Sequence, residues 1–274
     1  RDMWEESINM IPKIWGSDYF EHEGKFWNVP PRQVLPKPFQ QPHPPIWVAA
    51  LQPSTYEIAA KKGIGVMALG VNAPAVLEPE IKKYKETVKS ATAVGAFTNN
   101  QWLSSVFGLC GEDNKATQAL SAQSLKTFFG PGRPYVQDQK DVYEKLLEQW
   151  GGIPEHLISN FARYVDVDKA NQSSNGNSAT SFDLSGGALA QKIWEEFDSE
   201  TMAERGVIVA GDPEACIRGA RLHETTGVDE LQFLMATETV DHAAVMKSIE
   251  MFGKHVIPEF RSGGDPKQPN CPLE

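Results

Sequence analysis

The chain is short of several residue patterns that would otherwise define its site. Three cysteines, Cys110, Cys216 and Cys271, match no metal-ligand spacing and leave one thiol over in any disulfide scheme. That argues against a disulfide-stapled fold or a zinc site, and it predicts a reducing cytoplasm. The histidines form no His-x-x-His pair, and no metal is expected. No Gly-x-Gly-x-x-Gly dinucleotide turn and no Gly-x-Ser-x-Gly nucleophile elbow is present. Positive charge is scarce: 26 Lys and Arg against 36 Asp and Glu give a net charge of −10. Without a basic excess to neutralise phosphates, neither nucleic acid nor an anionic membrane is an expected partner. No apolar run approaches the roughly 20 residues that span a bilayer, and no signal peptide is visible.

What is present is a soluble-protein composition and a repeated strand–helix rhythm. With 274 residues, 41% of them hydrophobic, the chain is long enough for one large domain with a substantial core. Its organising stretch is 36–63. Pro42, Pro44 and Pro45 stiffen the approach. Ile46 to Ala50 is a short apolar run suited to a strand covered on both faces. Pro53-Ser54-x-x-Glu57 reads as a capping box, and Gly63 as a helix stop. A second apolar run at 65–69 completes a parallel βα unit.

Taken in order, 2–15 is amphipathic, with Met3, Trp4, Ile8, Ile11 and Trp15 near one face. Between aromatic runs, Glu23-Gly24-Lys25 predicts a small hairpin. A surface helix is expected at 79–90, a third strand at 102–109 and a helix at 114–128. From 130 to 205 breakers and polar residues predict an excursion, with 171–178 its loosest part. Regular structure resumes at 207–209. Asp212 and Asp241 read as helix N-caps, Gly227 as a stop, 231–234 as the fourth strand, and the final helix as running through Gly253. The fold class is therefore α/β, with four parallel strands near 46–50, 65–69, 102–109 and 231–234.

Chemistry-bearing residues are sparse. The turn 51–55 leads from a strand's C-terminal end into a helix N-terminus, which is an anion site by virtue of its free N–H groups. Ser54 and Thr55 add hydroxyls there, although Ser54 also fits a plain helix cap. His43 lies in a rigid Pro-His-Pro-Pro entry before the strand, so a structural hydrogen bond is its expected role rather than catalysis. Ser104 or Ser105 points inward from the third strand. Cys110 at that strand's end, and Thr237, Glu238 and Thr239 after the fourth, are candidates for a pocket or its rim.

Two blocks also resemble a known family. GKFWNVP at 24–30, PKPFQQPHPPIWVAA at 36–50 and AAKKGIGV at 59–66 resemble the bacterial luciferase-like flavin-dependent monooxygenases. AGDPEACI at 210–217, TTGVDELQFLM at 225–235 and VMKSIEMFGKHVIPEF at 245–260 resemble the last βα unit and closing helix of that family. The resemblance implies a (β/α)8 TIM barrel, here incomplete. The chain would carry about the last four βα units as one partial domain, with 130–205 as a lid over the ligand face. It implies FMN as cofactor, reduced by a separate flavin reductase, with dioxygen and a small organic molecule as substrates. By the same resemblance Ala50, Gln52, Ser54 and Thr55 fall at the flavin phosphate, together with a basic residue further upstream. Gln52 stands where a small hydroxyl residue is common in the family, and its amide retains a donor. No catalytic base is indicated. Two alternatives stand beside this reading: a deazaflavin-dependent oxidoreductase of the same superfamily, and a non-catalytic partner subunit. Half a barrel has open strand edges, so weak flavin binding by this chain alone and homo-oligomerisation are expected.

Overall fold

A computed structural model describes residues 1–50, 53–70, 73–129 and 198–260. The chain opens with helix α1 (Asp2–Gly16) and a hairpin of β1 (Phe20–Glu23) and β2 (Asn28–Arg32), paired antiparallel. The hairpin is tied to α1 by one side chain. The Glu6 carboxylate accepts the backbone N–H groups of Phe26 and Trp27, both at 3.0 Å, and lies 2.9 Å from His22 Nε2.

Then follow β3 (Trp47–Ala50), α2 (Pro53–Lys62), β4 (Gly65–Gly70), α3 (Pro74–Thr87), β5 (Trp102–Cys110) and α4 (Asn114–Phe129). After the undescribed stretch come α5 (Ser199–Glu204), β6 (Ile208–Gly211), α6 (Pro213–Glu224), β7 (Glu230–Leu234) and α7 (His242–Met251). The expected lid at 130–205, and its loosest part at 171–178, lie outside the described residues except for α5 and its flanks.

Strands β3, β4 and β5 pair parallel in that order, and β7 pairs parallel with β5. These are the four expected strands. The fifth, β6, is an addition: it pairs with residues 107–110 of β5, beyond the point where β4 leaves it. Phe107 is partnered by both Ile208 and Leu234, so β6 and β7 occupy opposite edges of β5. An apolar run as short as Val207-Ile208-Val209 carries no mark of which edge it will join.

Register sorts the side chains into two faces. Val48, Val66 and Trp102 share one face with Ala68, Ser104 and Leu231. On it Val66, Ala68, Trp102 and Val106 are wholly buried, and Trp102 packs against Tyr56 of α2 and Tyr84 of α3 with ring centroids 4.7 and 5.5 Å away. The other face carries Ala49, Met67, Leu69, Leu103, Ser105 and Gln232. It is closed over Phe107 and Leu109 by Ala122 and Leu125 of α4, but Ala49 and Gln232 stay exposed.

Local signals place most helix ends. Asp212 and Asp241 cap α6 and α7, accepting N–H groups of Ala215 at 2.8 Å and Ala244 at 2.9 Å. Gly227 follows α6 with φ 85°, a conformation only glycine adopts without strain. Helical winding passes through Gly253 as expected and continues beyond it, widening over Phe252–Val256 and tightening over Ile257–Phe260. The capping box at α2 also fails to form. The helix begins at Pro53, which puts Ser54 inside the first turn, and Glu57 pairs with Lys61 at 2.6 Å instead of turning back.

Candidate functional site

Because β3, β4, β5 and β7 run parallel, their C-terminal ends lie at one rim, the end at which ligands collect in βα folds. On the β3 side, the buried Ala50 ends the strand and α2 begins at Pro53. Freed from capping, Ser54 Oγ accepts a hydrogen bond from the Arg1 guanidinium at 3.4 Å. Arg1 stands at the N-cap of the 15-residue α1, so two helix N-termini and one permanent cation converge. The nearest carboxylate on α1, Asp2, is turned to Lys25 of the hairpin at 3.7 Å. Thr55 is half-buried in the same turn, and Gln52 lies outside the described residues. An arginine, a hydroxyl and a helix N-terminus form a donor set suited to a phosphate.

On the β7 side, Thr237 Oγ1 is 2.6 Å from Ser124 Oγ of α4 and 3.3 Å from Thr239 Oγ1. Ser124 is buried, whereas Glu238 projects into solvent. Ser105 lies on the half-covered face and donates to Gln232 Oε1 at 2.7 Å; Ser104 lies on the other face and accepts from Trp102 Nε1 at 3.2 Å. Cys110 also falls on the helix side of the sheet, packed with Val209, Cys216 and Met251 rather than with the rim hydroxyls.

His43 has the structural role its position suggests. The Ala96 N–H donates to its Nε2 at 2.8 Å, so Nδ1 carries the proton and donates to Pro44 O at 2.8 Å. The ring is buried against Phe97, and a Cβ on Gly95 would come within 2.4 Å of Nε2. Among the described residues no group of three His, Cys, Asp or Glu side chains is placed to hold a metal, and no helix is long and apolar enough to cross a membrane.

Sequence reading left Arg1, Ser124 and Gln232 unnamed. Arg1 has no local pattern that points at Ser54. Ser124 had a weak signal, since a serine on the apolar stripe of a helix needs a partner within the protein.

The chain is similar to known proteins at three levels. A model of the family "Luciferase-like monooxygenase" matches residues 1–230. Over 142 residues the chain is 48% identical to the oxygenase component of a flavin-dependent trigonelline monooxygenase from Acinetobacter baylyi, an alignment covering 52% of this chain and 38% of the relative. The chain thus spans well under half the length of that curated relative. Among solved structures, monooxygenase RslO1 from Streptomyces bottropensis superposes with a TM-score of 0.58 at 17% identity, over 93% of this chain and 60% of the other. The oxygenating constituent of 3,6-diketocamphane monooxygenase from Pseudomonas putida, in complex with FMN, gives 0.52 at 19%, over 94% and 63%. An F420-dependent secondary alcohol dehydrogenase gives 0.56 at 16%, over 95% and 62%. These structures share the fold; the family model, matching most of the chain, settles the family. The chain belongs to the luciferase-like monooxygenases.

Proposed function

We propose that this chain supplies the phosphate-holding side of an FMN site in the oxygenase component of a two-component monooxygenase. The observation that carries the reading is the Arg1–Ser54 contact at the N-terminus of α2. Arg1 would pair with the phosphate, and Ser54 and the first N–H groups of α2 would orient it, with Ala50, Gln52 and Thr55 around them. Bound reduced flavin would supply the electrons for dioxygen activation. The chain's own work is to bind, orient and exclude water; the hydroxyls of Ser124, Thr237 and Thr239 offer a polar anchor across the rim, with Glu238 outside it.

The four parallel strands are read as part of a (β/α)8 barrel acting in the cytoplasm. Self-association belongs to the same reading, because Met67, Leu69 and Leu103 are only partly covered. The name of the 48%-identical relative supports a separate flavin reductase as partner and makes trigonelline the first small organic substrate to assay. The likeness to an F420-dependent dehydrogenase supports deazaflavin as the second cofactor to test.

Flavin titration followed by fluorescence tests the site. FMN should bind at least ~10-fold more tightly than riboflavin, the scale of one charge-assisted interaction. Arg1→Gln should close that gap while leaving riboflavin unchanged. Equal affinity of the unsubstituted chain for FMN and riboflavin would remove the phosphate assignment, and preference for F420 would move the cofactor to deazaflavin.

A further inference from the structure

A groove runs between α6, the start of β7 and the turns that follow α7, on the helix side of the sheet and at the end opposite the rim. Its volume is about 340 Å³, roughly twice the ~150 Å³ of a cavity that holds benzene. Ala220 of α6, Leu231 and Phe233 of β7, and Phe260 give it an apolar lining. The two rings are held in place. Phe233 stacks on Phe252 with centroids 4.4 Å apart, and the Arg221 guanidinium covers Phe260 at 4.3 Å.

Two features distinguish it from a plain apolar cleft. The first is His223, which lines the groove although only 2% exposed. A carbonyl oxygen can only accept, so the 2.9 Å contact with Gly206 O commits His223 Nε2 to donating. Burial favours the neutral ring, against the opposing pull of that carbonyl, and the neutral ring keeps a lone pair on Nδ1. Among the described residues that lone pair has no donor. An unpaired buried acceptor is costly, and a donor carried by a ligand removes the cost. The second feature is charge. Glu224, Asp229 and Glu230 also line the groove. Arg221 meets Glu224 at 2.6 Å and Lys85 meets Asp229, which leaves the Glu230 carboxylate without a cation among the described residues.

We infer that this groove binds a small amine, a protonated ammonium group on a single-ring apolar body. The body covers Leu231, Phe233 and Phe260, an ammonium N–H donates to His223 Nδ1, and Glu230 balances the charge. Other head groups meet only part of this set. A carboxylate has no proton for Nδ1 and faces Glu230 as a like charge, while a neutral alcohol can donate but gains nothing from Glu230. The inference does not rest on the flavin reading, because the groove and the rim lie at opposite ends of β7.

Three probes that share one body and differ in head group test the site: 2-phenylethylamine, 2-phenylethanol and 3-phenylpropionate. Calorimetric titration of the 274-residue chain at pH 7.5 should find the amine at least ~10-fold tighter than the alcohol, the scale of a charge-assisted hydrogen bond, and the carboxylate weakest. Glu230→Gln changes an exposed side chain and should leave the fold intact. It should weaken the amine by roughly 2- to 5-fold, the scale of an exposed charge pair, and leave the alcohol unchanged. In chain labelled with ¹⁵N at histidine, the His223 Nδ1 resonance should move upfield on adding the amine, as an imidazole nitrogen does when it accepts a hydrogen bond. Equal affinity for the three probes, no affinity for any of them, or amine binding that leaves the His223 resonance in place would overturn the inference.

Discussion

The two faces of the parallel sheet are built from the same strands, yet they differ in how completely they are sealed. On one, Val66, Ala68, Trp102 and Val106 have no exposed surface, and α2, α3, α6 and α7 supply the apolar partners. On the other, Met67, Leu69 and Leu103 are half-buried, while Ala49 and Gln232 are exposed. Only its rim end, under α4, is fully closed. Adjacent residues of nearly equal hydrophobicity therefore do different work. Those facing helices hold the fold, and those on the other face leave room for whatever the sheet encloses.

Truncating neighbours on β5 gives the largest expected contrast. Trp102→Ala removes a ring fully buried between Tyr56 and Tyr84 and should destabilise by about 3–5 kcal/mol. Leu103→Ala, one residue on but on the half-covered face, should fall below about 2 kcal/mol, since part of its surface already meets water. Urea unfolding of both variants measures the difference, and equal losses would show that the faces are sealed alike.

The next effect is pH-dependent and belongs to the sealed side. His223 of α6 is 2% exposed and donates from Nε2 to Gly206 O at 2.9 Å. Burial lowers its pKa, with the Gly206 carbonyl opposing, so the native state favours neutral imidazole. Below the unfolded value of about 6.5 the unfolded chain takes up the proton more readily. The stability from His223 is thus complete above that pH and declines as pH falls toward the lowered native value, by no more than about 1.4 kcal/mol per pH unit. His223→Gln should flatten this slope between pH 7.5 and 5.5; an unchanged slope would assign it to other groups.

The smallest expected change is on the half-covered face. Gln232→Ala removes the acceptor of the Ser105 hydroxyl, but solvent reaches the site, so the loss should stay within about 1 kcal/mol. If Ser105 and Gln232 meet a ligand, ligand-induced stabilisation in a thermal shift assay should drop more than stability itself.

Most of the secondary structure was legible from residue order because its causes are local. The apolar runs at 46–50, 65–69, 102–109 and 231–234 match β3, β4, β5 and β7 within about a residue, and Asp212 and Asp241 cap helices through N–H groups three residues away. The α2 capping box misled because Pro53 opens the helix one residue before Ser54. The hydroxyl and amide contacts at the rim join residues far apart: Arg1 with Ser54, Ser124 with Thr237 and Ser105 with Gln232. Strand alternation told that Ser104 and Ser105 oppose each other but not which meets the helices; register with Trp102 and Gln232 decided it.

Residue order by itself thus determined the βα rhythm, the parallel strand class, the absence of a metal or dinucleotide motif and the family resemblance, all of which are written in short-range pattern and composition. Tertiary structure alone decided that β6 joins the edge of β5, that Ser124 meets Thr237, and that Arg1 reaches the start of α2. Those outcomes depend on which elements pack together, and packing joins residues 53, 113 and 127 positions apart, where no local periodicity carries information.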